Sequence, residues 1–302
     1  MTINLYDKLS EGRKRLHVSQ TFYSVQGEGP RTGVLSVWLR TFGCPLKCQG
    51  FFQKEPTNPS SYVNPLTFAP KSITRLRDFP VVEYGCDTLY AIDPKFKHLR
   101  RTMEIDAVRE ELMAYLPGME WQHPKTNNSI DLCITGGEPL LQQSALADLI
   151  YEINSYPSLT QPTIQFETNA TQRLKKDLSD ALDLINRDSY FNVSPKLFNV
   201  SGENYEWSGA NISEYLDHAK VALKIVVNSS DAAWFELDEK VAKLKADLGN
   251  YLPPVYIMPV GATFEQQSDQ KEIEKISNRA LENGYHISGR LHCILWGNDI
   301  DA

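Results

Sequence analysis

Cysteine is scarce in this chain, with five in 302 residues, and long apolar runs are missing altogether. No stretch approaches the roughly 18 apolar residues that a membrane-crossing helix needs, which argues against a membrane partner. An odd number of scattered thiols is no disulfide framework, and the charged first sixteen residues predict no secretory leader. Reduced thiols or metal ligands in a soluble, cytoplasmic protein are the expectation. Basic charge is also in deficit. The 31 Lys and Arg face 38 Asp and Glu, for a formal charge of −7, and no basic run offers a direct nucleic-acid surface. Repeats and low-complexity tracts are absent, and a 41% hydrophobic content excludes disorder and collagen-like folds. The length suits one large α/β domain or two ordinary ones.

What is present is alternation. Residues 34–41 (VLSVWLRT) are rich in branched and aromatic side chains and end at Gly43, as a buried strand does. Similar runs occur at 131–135, 163–167, 191–193, 221–227 and 255–258. Between them, apolar residues three and four apart predict helices over 103–116, 142–155, 174–185, 231–248 and 265–283. Strand and helix in turn argue for a parallel sheet. Two stretches break the pattern. Residues 49–85 are proline-rich and without period, too long for a plain connection, and residues 197–211 read as a second inserted loop.

Cys44 and Cys48, three residues apart just after the first of these strands, can converge from a loop on one metal centre. Two cysteines there can equally be small buried hydrophobes. Cys133, within a strand, and Cys293 read as core residues.

Further segments decide the context: FYSVQGEGP (22–30), GC-x3-C (43–48), CDT (86–88), TGGEPLLQ (135–142), ETNAT (167–171), SPK (194–196), Met258-Pro259 and LHCILWG (291–297). In this order they resemble the radical S-adenosylmethionine enzymes and, within them, the 7-carboxy-7-deazaguanine synthase (QueE) family. The resemblance spans nearly the whole chain. It implies a single radical S-adenosylmethionine domain over residues 1–302, an α/β fold of the partial (β/α) barrel type with inserted loops, and an active site at the carboxyl ends of the strands.

One departure matters. The family pattern is Cys-x3-Cys-x2-Cys, but the third position here is Phe51. The tripeptide that closes the family motif reappears as Cys86-Asp87-Thr88, so 37 residues, the 49–85 insertion, separate the second and third expected ligands. Lengthening the loop that far costs about 2–3 kcal/mol in closure entropy. Alternatively, Cys86 is an ordinary buried thiol.

The resemblance implies a [4Fe–4S] cluster on Cys44, Cys48 and Cys86. Its open iron would take S-adenosylmethionine, whose reductive cleavage yields the radical, so no side chain is itself expected to be the catalyst. Cofactor contacts are expected from Gly136, Gly137, Glu138, Ser194, Pro195 and Lys196, although Glu138 also suits a helix's first turn and 194–196 a surface turn. The implied substrate is 6-carboxy-5,6,7,8-tetrahydropterin, with Gln26, Gly27, Glu28, Arg40 and Thr135 as candidate contacts. Arg40, twelve residues after Glu28 as in the family, offers a carboxylate fork. The resemblance implies that Thr88 holds Mg²⁺, the alternative being a helix cap or turn hydroxyl. The implied activity is a carbon–nitrogen lyase reaction, a ring contraction to 7-carboxy-7-deazaguanine with release of ammonia. A flavodoxin or ferredoxin would donate the electron, and the resemblance allows a homodimer. Rivals are a radical activase acting on a protein partner, a structural zinc protein using Cys44, Cys48, Cys86 and His98, and a pterin-binding module without catalysis.

Overall fold

Side chains of β2 (Leu35–Thr41) alternate between two surfaces, as a strand requires. Val37 and Leu39 are fully buried in the apolar core, while Trp38 and Arg40 point the other way, towards a cavity. The computed structural model describes residues 14–155, 160–185 and 189–300; residues 1–13 and 301–302 of the expected single domain lie outside them. Among the described residues β2 is one of nine strands in one sheet. The others are β1 (Arg15–Val25), β3 (Arg101–Glu104), β4 (Asp131–Gly136), β5 (Ile164–Thr168), β6 (Tyr190–Val193), β7 (Lys220–Val227), β8 (Val255–Pro259) and β9 (His286–Ile287). Their order is β3-β1-β2-β4-β5-β6-β7-β8-β9.

From β2 to β9 all neighbours are parallel, as the alternation predicts. The parallel order stops at one end, where β1 runs antiparallel to both β2 and β3. Neither β1 nor β3 follows a crossover helix, the unit from which the parallel order was inferred. The sheet is open, with edges at β3 and β9, yet it curls. Segments following β1 and β9 meet, Gly29 N–H donating to Ser288 Oγ at 2.8 Å and Leu291 N–H to Gly27 O at 2.9 Å. Loops thus span a gap that strand pairing leaves open, giving the α/β, partial-barrel architecture.

The helices are α1 (Leu89–Ile92), α2 (Ile105–Ala114), α3 (Gln143–Ser155), α4 (Lys176–Ile185), α5 (Phe198–Ser201), α6 (Gly209–Leu216), α7 (Asp231–Asp247), α8 (Phe264–Gln267), α9 (Gln270–Glu282) and α10 (Leu291–Trp296). Apolar faces of α2, α3, α4, α6, α7 and α9 join the outer face of the sheet in one core. Two predicted helices change. Met103 and Glu104 belong to β3, where Glu104 pairs with Arg15 at 2.5 Å. The helix expected over 265–283 splits at Ser268 and Asp269, because Asp269 caps α9 by accepting the N–H groups of Lys271 and Glu272. No described helix is long and apolar enough to cross a membrane.

Residues 49–85 contain only short 3₁₀ turns, but they have a core of their own. Phe79 and Val82 bury with Tyr90, Ala91 and Phe96 from beyond the insertion, and Phe79 packs edge-on against Phe96 (5.0 Å) and Tyr90 (5.2 Å). Burying two such rings contributes about 1.5–3 kcal/mol each, which offsets the closure entropy of the long loop. Cys86 lies in sequence between the two halves of this cluster.

Candidate active site

The inner face of the sheet is polar. Gln165 donates to Asp131 at 2.7 Å, and Gln26 and Asn192 both donate to Gln165 and Glu167. Lys224, almost fully buried, pairs with Glu167 and, at 2.8 Å, with Glu28. Above this layer, at the carboxyl ends of the strands, is a cavity of about 210 Å³ joined to a smaller one of about 140 Å³; Glu28, Phe51, Asp87, Ser194, Lys196 and Arg290 line both.

Cys44, Cys48 and Cys86 all face the larger cavity. Burial pushes the Cys44 thiol up to about 12 and those of Cys48 and Cys86 above the ordinary thiol range, and the Cys86 thiol raises the other two further. Thiols raised in this way stay protonated unless a positive centre compensates them. Lys196 is the cation that acts on all three. Cys48 takes a left-handed φ of 50°, a conformation that a non-glycine residue holds only when its surroundings impose it. Cys44 Sγ accepts from Leu46 N–H (3.4 Å) and Asn169 Nδ2 (3.6 Å), the kind of sulfur hydrogen bond that tunes a cluster.

The donor chemistry suits a [4Fe–4S] cluster, which Cys44, Cys48 and Cys86 would hold as thiolates. Among the described residues no three His, Cys, Asp or Glu side chains converge on a single-ion site. His98, the fourth ligand of the zinc alternative, instead contacts the carbonyl of Ile73 at 2.8 Å and is not on the cavity wall. Phe51, in the position of the usual third cysteine, lines the cavity with the Lys196 ammonium 5.9 Å from its ring centre.

The other expected site residues divide. Gln26, Glu28, Arg40, Thr88, Thr135, Gly136, Gly137, Ser194 and Lys196 line the larger cavity, whereas Gly27, Glu138 and Pro195 do not. Arg40 donates from Nε to Gln20 at 3.1 Å and forms no ion pair among the described residues. Thr88 precedes α1 without capping it; its hydroxyl is 3.4 Å from Cys86 Sγ. Gly137 approaches so closely that a Cβ there would stand 2.3 Å from Gly43 O and 2.7 Å from Cys44 Cβ. Glu138 is buried behind it. Its carboxylate accepts from Leu140 N–H, Thr168 Oγ1 and Asn169 N–H, yet burial outweighs these donors and raises it to about 7. Glu138 thus stands behind the cavity wall rather than on it.

Sequence reasoning missed Trp38, Asp87, Glu167, Asn169, Lys224, Arg290 and His292, all on the cavity wall. The period-two rule marks Trp38, since it shares a face with Arg40; its indole N–H is buried without a partner. Burial and Arg290 hold His292 down to about 4, so its ring is neutral.

Three cysteines on one cavity wall above a polar sheet face are the kind of site an iron–sulfur protein has. The description "4Fe-4S single cluster domain" matches residues 25–194, more than half of the chain, and the chain belongs to that family. It is similar to the 7-carboxy-7-deazaguanine synthase of Hyperthermus butylicus (27% identical over 292 residues, covering 93% of this chain and 92% of the relative). It is likewise similar to that of Halobacterium salinarum (24% over 305 residues, 94% and 91%). Among solved structures, QueE from Escherichia coli shares the fold, with a TM-score of 0.54 at 18% identity, covering 92% of this chain and 95% of that one.

Proposed function

We propose that the protein is a 7-carboxy-7-deazaguanine synthase of the radical S-adenosylmethionine type. The observation that carries this reading is one cavity walled by Cys44, Cys48 and Cys86 together with Gln26, Glu28 and Arg40. When bound, a [4Fe–4S] cluster carrying S-adenosylmethionine supplies one-electron cleavage and a carbon radical that abstracts hydrogen. The chain's own residues do the rest. Cys44, Cys48 and Cys86 hold the cluster. Gly136 and Gly137 admit the cofactor's backbone-sized groups, Glu138 braces that turn from behind with Pro195 shaping the opposite one, and Ser194 and Lys196 face the cofactor from the turn that follows β6. Lys196 donates to Ser194 Oγ at 2.8 Å, which aims its ammonium into the site.

Arg40, without a carboxylate partner among the described residues, receives the substrate carboxylate. Gln26, Glu28 and Thr135 offer polar groups to the pterin ring, with Gly27 setting the path of that loop. The Thr88 hydroxyl suits Mg²⁺, a hard ion that prefers oxygen. A flavodoxin or ferredoxin in a reducing cytoplasm would supply the electron.

Anaerobic reconstitution tests the reading. Wild type should bind about four irons per chain and convert 6-carboxytetrahydropterin to 7-carboxy-7-deazaguanine. Cys86→Ala should lose the cluster and Phe51→Ala should keep it. Full iron and cofactor cleavage in Cys86→Ala would overturn the ligand set, and cleavage without deazaguanine in wild type would favour an activase.

A further inference from the structure

We propose that Arg290, just before the last described helix, is a positioning residue for the cluster: it clamps Asp87, and with it Cys86, to the Glu28 loop on the same cavity. This rests on the reading of Cys86 as the third ligand. In a short Cys-x2-Cys spacing the backbone itself tethers the third sulfur. Here 37 residues intervene, so tertiary contacts must supply the tether.

Arg290 has the geometry for it. Its Nε donates to Glu28 Oε1 at 2.9 Å, Nη2 pairs with Asp87 Oδ2, and Nη1 donates to Gly261 O at 2.7 Å. A planar fork with donors on three nitrogens can bridge two carboxylates on separate loops. The arginine is itself anchored. Gly29 bonds Ser288, Leu291 bonds Gly27 O, and His292 seats on Gly27, where an added Cβ would stand 2.2 Å from its Nδ1.

Removal of the guanidinium would not affect both carboxylates alike. Glu28 keeps Lys224 at 2.8 Å, whereas Asp87 has no second ion pair among the described residues. Without the guanidinium no ion pair fixes the Asp87 side chain against the Glu28 loop. The damage therefore falls on the loop that carries Cys86.

The test uses the full chain, reconstituted anaerobically with iron and sulfide, as wild type, Arg290→Gln, Asp87→Asn and the double variant. The readouts are the electron paramagnetic resonance spectrum of the reduced cluster, the rate of iron loss to a chelator, and the melting temperature. Each single variant should lose iron roughly tenfold faster, with shifted g values. The double should be no worse than either single, as for residues acting through one contact. Arg290→Lys, whose single ammonium cannot bridge both partners, should fall between, and it decides the matter if Arg290→Gln does not fold. Variants that hold iron at the wild-type rate with the wild-type spectrum, or losses that simply add, would overturn the proposal alone. A wild-type chain that takes up no cluster would overturn the functional reading and this proposal with it.

Discussion

The carboxylate of Glu203 accepts the backbone N–H of Cys48 at 2.5 Å, and the same oxygen takes that of Lys47 at 2.7 Å. Glu203 stands in the 197–211 stretch, so that stretch braces the cysteine-bearing loop at the proposed cluster. Gly50 N–H, donating to Ser201 O at 2.8 Å, is a second tie. These bonds hold Cys48 in its left-handed conformation.

Glu203→Ala should release that loop. Hydrogen bonds to a charged acceptor contribute about 1.5–3 kcal/mol each, so the melting temperature should fall by several degrees and reconstituted iron should drop. Unchanged iron retention in a scanning melt followed by iron assay would show that the loop needs no such brace.

Phe79→Ala removes the ring at the centre of the small core around the insertion. The expected cost is about 3–5 kcal/mol, confined to that core, so limited proteolysis should cut within residues 49–85 before the sheet melts. Cleavage no faster than in wild type would mean that the aromatic cluster does not hold the insertion.

Arg40→Ala should weaken binding of the carboxypterin by about 10- to 100-fold while leaving S-adenosylmethionine affinity near wild type, as expected for loss of one charge-assisted pair. Calorimetric titration of each ligand separates the two. Equal losses would assign Arg40 to the cavity's general charge balance.

Glu138 makes stability depend on pH. Its folded-state value of about 7 lies above the ordinary 4.5, so between these values the folded chain holds a proton that the unfolded chain has released. Stability therefore falls as pH rises from about 4.5 to about 7, by about 3 kcal/mol, and levels off above. Melts across this range should slope downward in wild type and be flatter in Glu138→Gln. Parallel profiles would show that the carboxylate is already ionised throughout.

Much of the sheet could be read from residues 34–41, 131–135 and 221–227, because a strand buried on its outer face announces itself through branched apolar residues at every second place. β1 escaped notice. Its run RLHVSQTFYSV mixes polar and apolar residues, since its inner face looks onto a polar interior and its ladder is antiparallel. The cavity residues divided likewise. Arg40 and the cysteines stood within recognisable motifs, but Lys224 looked like any strand lysine, and nothing local showed that Glu28 and Glu167 flank it.

What the sequence by itself determined is the strand–helix alternation, the kind of chemistry that thiols, glycine turns and a strand arginine can perform, and the order of those motifs along the chain. Only the tertiary structure decided that Cys86 faces the same cavity as Cys44 and Cys48, and that Arg290 and Glu203 hold the loops that carry them. The physical reason is range. Periodicity and capping act over a few neighbouring residues, whereas bringing three cysteines to one cavity wall depends on burial and ion pairing between segments that share no local pattern.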